Sequence, residues 1–184
     1  VSRSVGDPRR SNEVNTSGTI EVMLAAARHR VRRVVLAASS SVYGSSPELP
    51  RRETQLPDPE SPYATSKLAA EGYLHTLGKL HGVETVALRY FNIFGPGQDP
   101  NSEYAAVVPR FVTATLRDEA PMINGTGEAS RDFTYVENVI DANLRAATAR
   151  DVTGLTCNIG CGDRYTLLEL LGARLERLRL FLLS

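Results

Sequence analysis

The sequence predicts an α/β fold built on parallel strands. Three observations predict it. Helical and strand patterns alternate along the chain, the strand candidates are short unbroken apolar runs, and these runs end in small or polar residues before the next helix. Strands buried on both faces have this unbroken character, whereas half-exposed strands alternate. A length of 184 residues allows one domain or two small ones.

Taken in order, Ser11 or Asn12 is placed to cap a helix running through Val14, Ile20, Met23, Leu24 and Ala27. The run Val34-Val35-Leu36-Ala37-Ala38 predicts a buried strand, which ends in Ser39-Ser40-Ser41 and Gly44. Pro47, Pro50, Pro57 and Pro59 mark residues 45–62 as loop. Pro62 suits the first turn of a helix carrying Tyr63, Lys67, Leu68, Ala70, Tyr73, Leu74 and Leu77, which stops near Gly82. Residues 83–90 read as a second buried strand, 91–102 as loop and 104–116 as helix. Pro121-Met122-Ile123 reads as a short strand entering a turn at Asn124-Gly125, and residues 133–136 as another. Residues 138–149 are helical by pattern, Cys157 to Gly160 a last strand, and Thr166 the cap of a last helix. Beyond Phe91 the strands shorten and scatter. This predicts a core in residues 1–91 and a smaller lobe in 92–184, with 133–160 returning to the core.

Composition narrows the function classes. The chain is 42% hydrophobic and 23% charged, ordinary for a globular protein. Its formal net charge of zero gives no pointer to nucleic acid or an acidic membrane. No apolar run is long enough to span a bilayer. Cys157 and Cys161 make neither a disulfide framework nor, without a nearby histidine, a zinc site; reduced cysteines in a cytoplasmic enzyme are the expectation. The chain begins on Val1 without a leader segment and ends on an apolar tail with no helix-stop signal. Both features suggest an excised piece.

Tyr63 and Lys67 lie one helical turn apart on one face. A free phenol, with a pKa of ~10, is a poor base at neutral pH, and a nearby ammonium favours the phenolate. Such a pair can take a proton from a sugar hydroxyl. Ser39, Ser40 and Ser41 sit at the carboxyl end of the first strand, where ligands bind in open α/β sheets. A serine there can donate to the substrate hydroxyl and share its proton with Tyr63.

Three segments together carry a resemblance: Ala38-Ser39-Ser40-Ser41-Val42-Tyr43-Gly44, Ser61-Pro62-Tyr63-Ala64-Thr65-Ser66-Lys67, and Leu88-Arg89-Tyr90-Phe91-Asn92-Ile93-Phe94-Gly95-Pro96. In this order they resemble the extended short-chain dehydrogenase/reductase superfamily, in its NAD-dependent epimerase/dehydratase branch. Gln98-Asp99-Pro100-Asn101, Tyr104 to Pro109, and Ile123-Asn124-Gly125 with Ser130 to Phe133 are similar to the UDP-glucose and UDP-N-acetylglucosamine 4-epimerases.

The resemblance implies a Rossmann-type doubly wound sheet with its first strands missing and a smaller lobe for a UDP-sugar. It implies NAD as a tightly held cofactor and inversion at C4 through a 4-keto sugar. Tyr63 would take the proton of the 4-hydroxyl, assisted by Ser39, and Lys67 would hold the nicotinamide ribose. Asn12 and Tyr90 would lie near the cofactor. Ser40, Ser41 and Asn92 would face the substrate, with Ala106 and Val107 against uracil. Met122 would stack on the uracil ring, with core packing as its rival role. Arg131 would clamp the diphosphate, with a surface salt bridge as its rival role. Relatives that dehydrate carry an acidic pair where Ser40 and Ser41 stand, and decarboxylases a glutamate near there. Neither is present, which argues for epimerisation. A dehydratase, a reductase and a non-catalytic dimerising remnant remain as alternatives. A homodimer would form through the helices near 12–30 and 62–81. The glycine-rich pyrophosphate turn is absent, and the resemblance places on the order of a hundred residues before Val1. The chain alone is therefore expected neither to hold NAD nor to turn over. Residues 179–184 resemble nothing in the family.

Overall fold

Asp7 starts the first long helical stretch. Its carboxylate accepts from the backbone N–H of Arg10 at 2.9 Å, and Pro8 occupies the first helical position. In the computed structural model, which describes residues 2–99, 107–117, 119–123 and 125–172, a short helix α1 (Ser2–Gly6) precedes this stretch. Then follow α2 (Pro8–Asn12), a π-helical turn over Glu13–Ser17 and α3 (Gly18–Arg28). The cap is thus Asp7 and not Ser11 or Asn12; the Ser11 hydroxyl turns back to the Asp7 carbonyl at 3.4 Å, inside the helix.

Strand β1 (Arg33–Ser39) leads through a 3₁₀ turn (Ser40–Tyr43) and the proline-rich loop into α4 (Pro62–His81). Ser61 caps α4, accepting from Ala64 N–H at 3.1 Å. Gly82, at φ +70°, ends it in the left-handed region that glycine adopts without strain. Strand β2 (Glu84–Tyr90) follows. Two residues of β3 (Ile93–Phe94) lie inside the expected loop, and α5 spans Val107–Leu116. The chain continues through β4 (Ser130–Arg131), β5 (Thr134–Tyr135), α6 (Val136–Thr148), β6 (Leu155–Ile159) and β7 (Tyr165–Thr166). The expected strand at 121–123 is absent. Pro121 offers no N–H, and no described strand pairs with the run that follows it.

Two units form. The first, Val1–Phe91 with Glu137–Ile159, holds the parallel sheet in the order β1-β2-β6. Period two along each strand divides its core. Ala38 and Ala87 pack with Met23, Ala26 and Leu74 of α3 and α4, while Val86 and Leu88 pack with Ala146 of α6. Both faces are covered, as the unbroken apolar runs predicted. The second unit, Asn92–Val136 with Gly160–Ser184, contains parallel β3 and β5 and antiparallel β4 and β7. Helical residues 167–172 begin there on a reciprocal cap: Thr166 N–H donates to Glu169 at 2.8 Å, and Glu169 N–H to Thr166 at 3.0 Å.

Helix α4 lies close on β2 at Gly78. A Cβ there would run into Thr85 and come to 2.8 Å from the Val83 carbonyl oxygen. In an exposed helix glycine to alanine gains about 1 kcal/mol. Here Gly78→Ala is expected to lower stability by about 1–3 kcal/mol through overpacking, measured by urea unfolding.

His75 bridges α4 to two strands, with Nδ1 3.0 Å from the Thr85 hydroxyl and Nε2 3.0 Å from that of Thr156. Burial holds its pKa below the ordinary 6.5; the Glu71 carboxylate opposes this and the Arg89 guanidinium reinforces it. The unfolded chain therefore takes up the proton first as pH falls. The stabilisation is complete above pH 6.5 and is lost as pH falls through the lower folded value. The urea midpoint should drop between pH 7 and 5, and the drop should be shallower in His75→Gln; equal slopes would refute this.

Candidate functional site

The carboxyl end of β1 must turn sharply, and its hydroxyls close the turn. Ser39 accepts from Ser41 N–H at 3.2 Å, and the two hydroxyl oxygens lie 2.8 Å apart. Ser39 is thereby fixed while retaining hydrogen-bonding capacity, and Ser40 and Ser41 are half-buried beside it. Gly44 follows at φ +56°, where a side chain would collide with the Asp58 carbonyl. Glycine lets the loop return, and Asp58 N–H donates to the Val42 carbonyl at 2.9 Å.

Tyr63 is half-buried in the first turn of α4. One turn on, Lys67 Nζ donates to the Ala37 carbonyl of β1 at 3.0 Å and lies 5.9 Å from the centroid of the Tyr63 ring. This bond fastens the face of α4 that carries Lys67 to the strand that carries Ser39. Burial lowers the Lys67 pKa. Lys67 also faces a groove of about 320 Å³ along β1, together with Val14, Asn15, Thr19, Val22 and Leu36.

Asn15 was not anticipated. The π turn brings its amide to the Ser66 hydroxyl at 3.0 Å, and Thr16 donates to the Ser66 carbonyl at 3.1 Å. Asn12 is exposed on α2, and the asparagine beside Lys67 is Asn15. No sequence pattern separates the two; the extra residue in the π turn does. Tyr90 pairs in register with Ser39 across β1 and β2, but its ring packs on the α6 side, and its hydroxyl accepts from Asn143 at 2.8 Å.

At the level of Tyr90, the α4 side of the sheet is occupied by Arg89, also unanticipated. Its guanidinium donates to both carboxylate oxygens of Glu71, at 3.0 and 2.6 Å, and both residues are buried. Helical spacing could have revealed Glu71, since Tyr63, Lys67 and Glu71 follow one another at intervals of four.

In the second unit Asn92 stands at φ +27°, and its amide donates to the Asp132 carbonyl at 2.8 Å. The Asp132 carboxylate accepts from the N–H groups of Cys161 and Gly162, each at 2.9 Å. Arg131 is exposed, donates to the Ser130 carbonyl at 2.9 Å, and makes no ion pair among the described residues. Met122 is 85% exposed in this chain. Val107 opens α5 half-buried, and Ala106 lies outside the described residues.

Comparison with known proteins places this geometry. The model of the NAD dependent epimerase/dehydratase family matches residues 1–160. The chain belongs to that family. A putative UDP-glucose 4-epimerase of Methanocaldococcus jannaschii is 36% identical over 171 residues, covering 92% of this chain and 55% of the relative. The solved UDP-N-acetylglucosamine 4-epimerase of Methanobrevibacter ruminantium M1, in complex with UDP-N-acetylmuramic acid, is 40% identical with a TM-score of 0.89, over 94% of this chain and 55% of its own. The UDP-glucuronic acid 4-epimerase of Bacillus cereus, in complex with UDP-glucuronic acid and NAD, is 30% identical with a TM-score of 0.77, over 86% and 49%. The chain thus spans about half the length of the relatives it matches, and its parallel sheet is that of the Rossmann-type epimerases. No helix among the described residues is long and apolar enough to cross a membrane.

The residues present fit one end of a dinucleotide. Lys67 and Asn15 offer donors to ribose hydroxyls at the groove. No strand, glycine turn and helix that would cradle a pyrophosphate occurs among the described residues. The 184-residue chain by itself is accordingly expected to bind NAD with a Kd weaker than micromolar, and isothermal titration showing micromolar or tighter binding would overturn this.

Proposed function

We propose that this chain supplies the acid–base wall and part of the sugar-nucleotide lobe of an NAD-dependent UDP-hexose 4-epimerase. One observation carries the reading: the Ser39–Ser41 hydroxyl pair ends the same strand to which Lys67, one turn from Tyr63, is hydrogen-bonded. NAD, when bound, supplies the hydride acceptor and donor at C4. Tyr63 takes the proton of the 4-hydroxyl as the carbonyl forms and returns it to the same oxygen after the sugar has presented its other face. Ser39 holds that oxygen by a hydrogen bond, with Ser41 orienting the Ser39 hydroxyl. Lys67 carries the charge that favours a phenolate and reaches the nicotinamide ribose, with Asn15 beside it. Tyr90 has weaker support as a cofactor contact, because Asn143 occupies its hydroxyl.

The substrate is read as UDP-glucose/UDP-galactose or the N-acetylated pair. Arg131, exposed and without an ion pair among the described residues, suits a diphosphate, and Met122 is open to stack on a base. Asn92, Ala106 and Val107 are assigned to the uridine portion by the same resemblance. Ser40 and Ser41 stand where elimination of water would need an acid and a base, and neither hydroxyl does that work at neutral pH. Epimerisation is favoured over dehydration for that reason. Exposed Tyr73 and Leu80 on α4 support a homodimer through the helices near 12–30 and 62–81.

In the protein expressed from its complete reading frame, Tyr63→Phe should reduce kcat by at least about a hundredfold, within the span of acid–base catalysis, and leave bound NAD unchanged. NMR of the products from UDP-glucose and UDP-N-acetylglucosamine checks both the loss and the reaction. A 4-keto-6-deoxy product would replace epimerisation by dehydration, and an active Tyr63→Phe would remove Tyr63 from the mechanism.

A further inference from the structure

Tyr43 has no part in the chemistry just described, yet it is among the most enclosed side chains, 1% exposed. It closes the 3₁₀ turn two residues after Ser41. Its hydroxyl accepts from Arg89 Nη1 at 2.8 Å and donates to Asn158 Oδ1 at 2.7 Å. Arg89 is held by Glu71 of α4 through its other two nitrogens. Asn158, on β6, passes the connection on: its amide donates to the Arg51 carbonyl at 3.1 Å, and its backbone N–H to the Glu53 carboxylate at 2.7 Å. Arg51 itself lies over the Tyr43 ring, 5.9 Å from the centroid, and donates to the Gly44 carbonyl at 3.0 Å. One phenol thus joins the catalytic helix, the serine turn, the sheet and the proline-rich loop.

We infer that Tyr43 is a positioning residue, which sets the Ser39–Ser41 turn against the helix bearing Tyr63 and straps residues 45–61 over it. The inference rests on the epimerase reading for its catalytic part. A 3₁₀ turn has few internal hydrogen bonds of its own. A reacting group displaced by about 1 Å can cost on the order of a hundredfold in rate. The hydroxyl is the part that matters. Phenylalanine would keep the ring in its pocket, but it would leave a buried N–H of Arg89 and the acceptor of Asn158 without their partner.

The test uses Tyr43→Phe in the protein from its complete reading frame. Epimerisation kcat should fall about tenfold while the KM for the UDP-sugar stays within about twofold, the pattern of a misplaced reacting group and not of lost binding. Trypsin acting on the native protein should cut after Arg51 and Arg52 about tenfold faster, as the strap loosens. With an active wild type, an unchanged kcat overturns the inference even if cleavage accelerates, because Tyr43 is then a staple only. An inactive wild type sinks the epimerase reading instead, and the tryptic rate alone decides: faster cleavage supports the strap and unchanged cleavage overturns it. Should Tyr43→Phe fail to fold, Asn158→Ala cuts the same connection one bond further on and is read by the same two measurements.

Discussion

The first unit is organised around the buried ion pair of Glu71 and Arg89. Both carboxylate oxygens meet the guanidinium fork, and its third nitrogen donates to Tyr43. Burying such charges is costly unless the hydrogen bonding is complete, and removing one partner of a buried pair typically costs about 3–5 kcal/mol. The pair therefore acts as a geometric constraint more than as a source of stability. It fixes α4 to β2 at one rotation and one height. With α4 so fixed, Lys67 and Tyr63, one and two turns earlier, have no choice of face. Arg89 in its turn is raised in pKa, with burial opposing and the Glu71 and Tyr43 hydrogen bonds prevailing, so it remains a cation throughout.

The sheet supplies the second constraint. β1 and β2 run parallel in a register that sets Ser39 opposite Tyr90 and Ala38 opposite Arg89. Because successive residues point to opposite faces, the α4 face receives Arg89 and the α6 face receives Tyr90. The Lys67 bond to the Ala37 carbonyl then ties α4 to the strand directly, one peptide short of the serine turn. A half-buried ammonium held on a backbone carbonyl loses some solvation, which lowers its pKa. The acceptor that holds it, a backbone carbonyl, does not titrate.

Much of this was legible in the residues. The apolar runs at 34–38 and 83–90 declared a two-sided parallel sheet, and Pro62 and Gly82 marked both ends of α4. The Tyr63 and Lys67 spacing and the serine run marked the carboxyl end of β1 and the first turns of α4, which the structure ties together through Lys67 and the Ala37 carbonyl. What escaped depends on three dimensions. Asp7 replaced Ser11 and Asn12 as a cap because Pro8 lets the helix start a turn earlier. Asn15 was hidden by a π turn, which breaks the period that sequence patterns rely on. Arg89 sat inside an apolar strand run, where a charge reads as an interruption until its partner on α4 is seen. The strand expected at 121–123 was lost because a short apolar run has strand character only when another strand pairs with it.

The two units solve the same problem in the same manner. A group free to meet a ligand cannot also hold itself in place, so a neighbour that does no chemistry holds it. Ser41 holds Ser39, and the Ala37 carbonyl holds Lys67. In the second unit Asp132 does this for the segment that includes Arg131. Its carboxylate seats the N–H groups of Cys161 and Gly162, and its carbonyl takes the Asn92 amide. Gly160 is required there, since a Cβ would stand 2.5 Å from the Asp132 carboxylate. Asn92 pays for its fixed place with a positive φ, a strain that asparagine tolerates better than most residues. With its amide donor committed, the Asn92 side chain offers a ligand mainly its carbonyl oxygen. That oxygen suits an N–H or hydroxyl donor such as a ribose or the uracil imide, and it does not suit a phosphate. Arg131 lies one residue from the anchoring Asp132, and its exposed guanidinium has the opposite preference. Under the proposed epimerase function, this acceptor and this cation, ordered around one aspartate, would take the neutral and the anionic parts of a nucleotide diphosphate respectively.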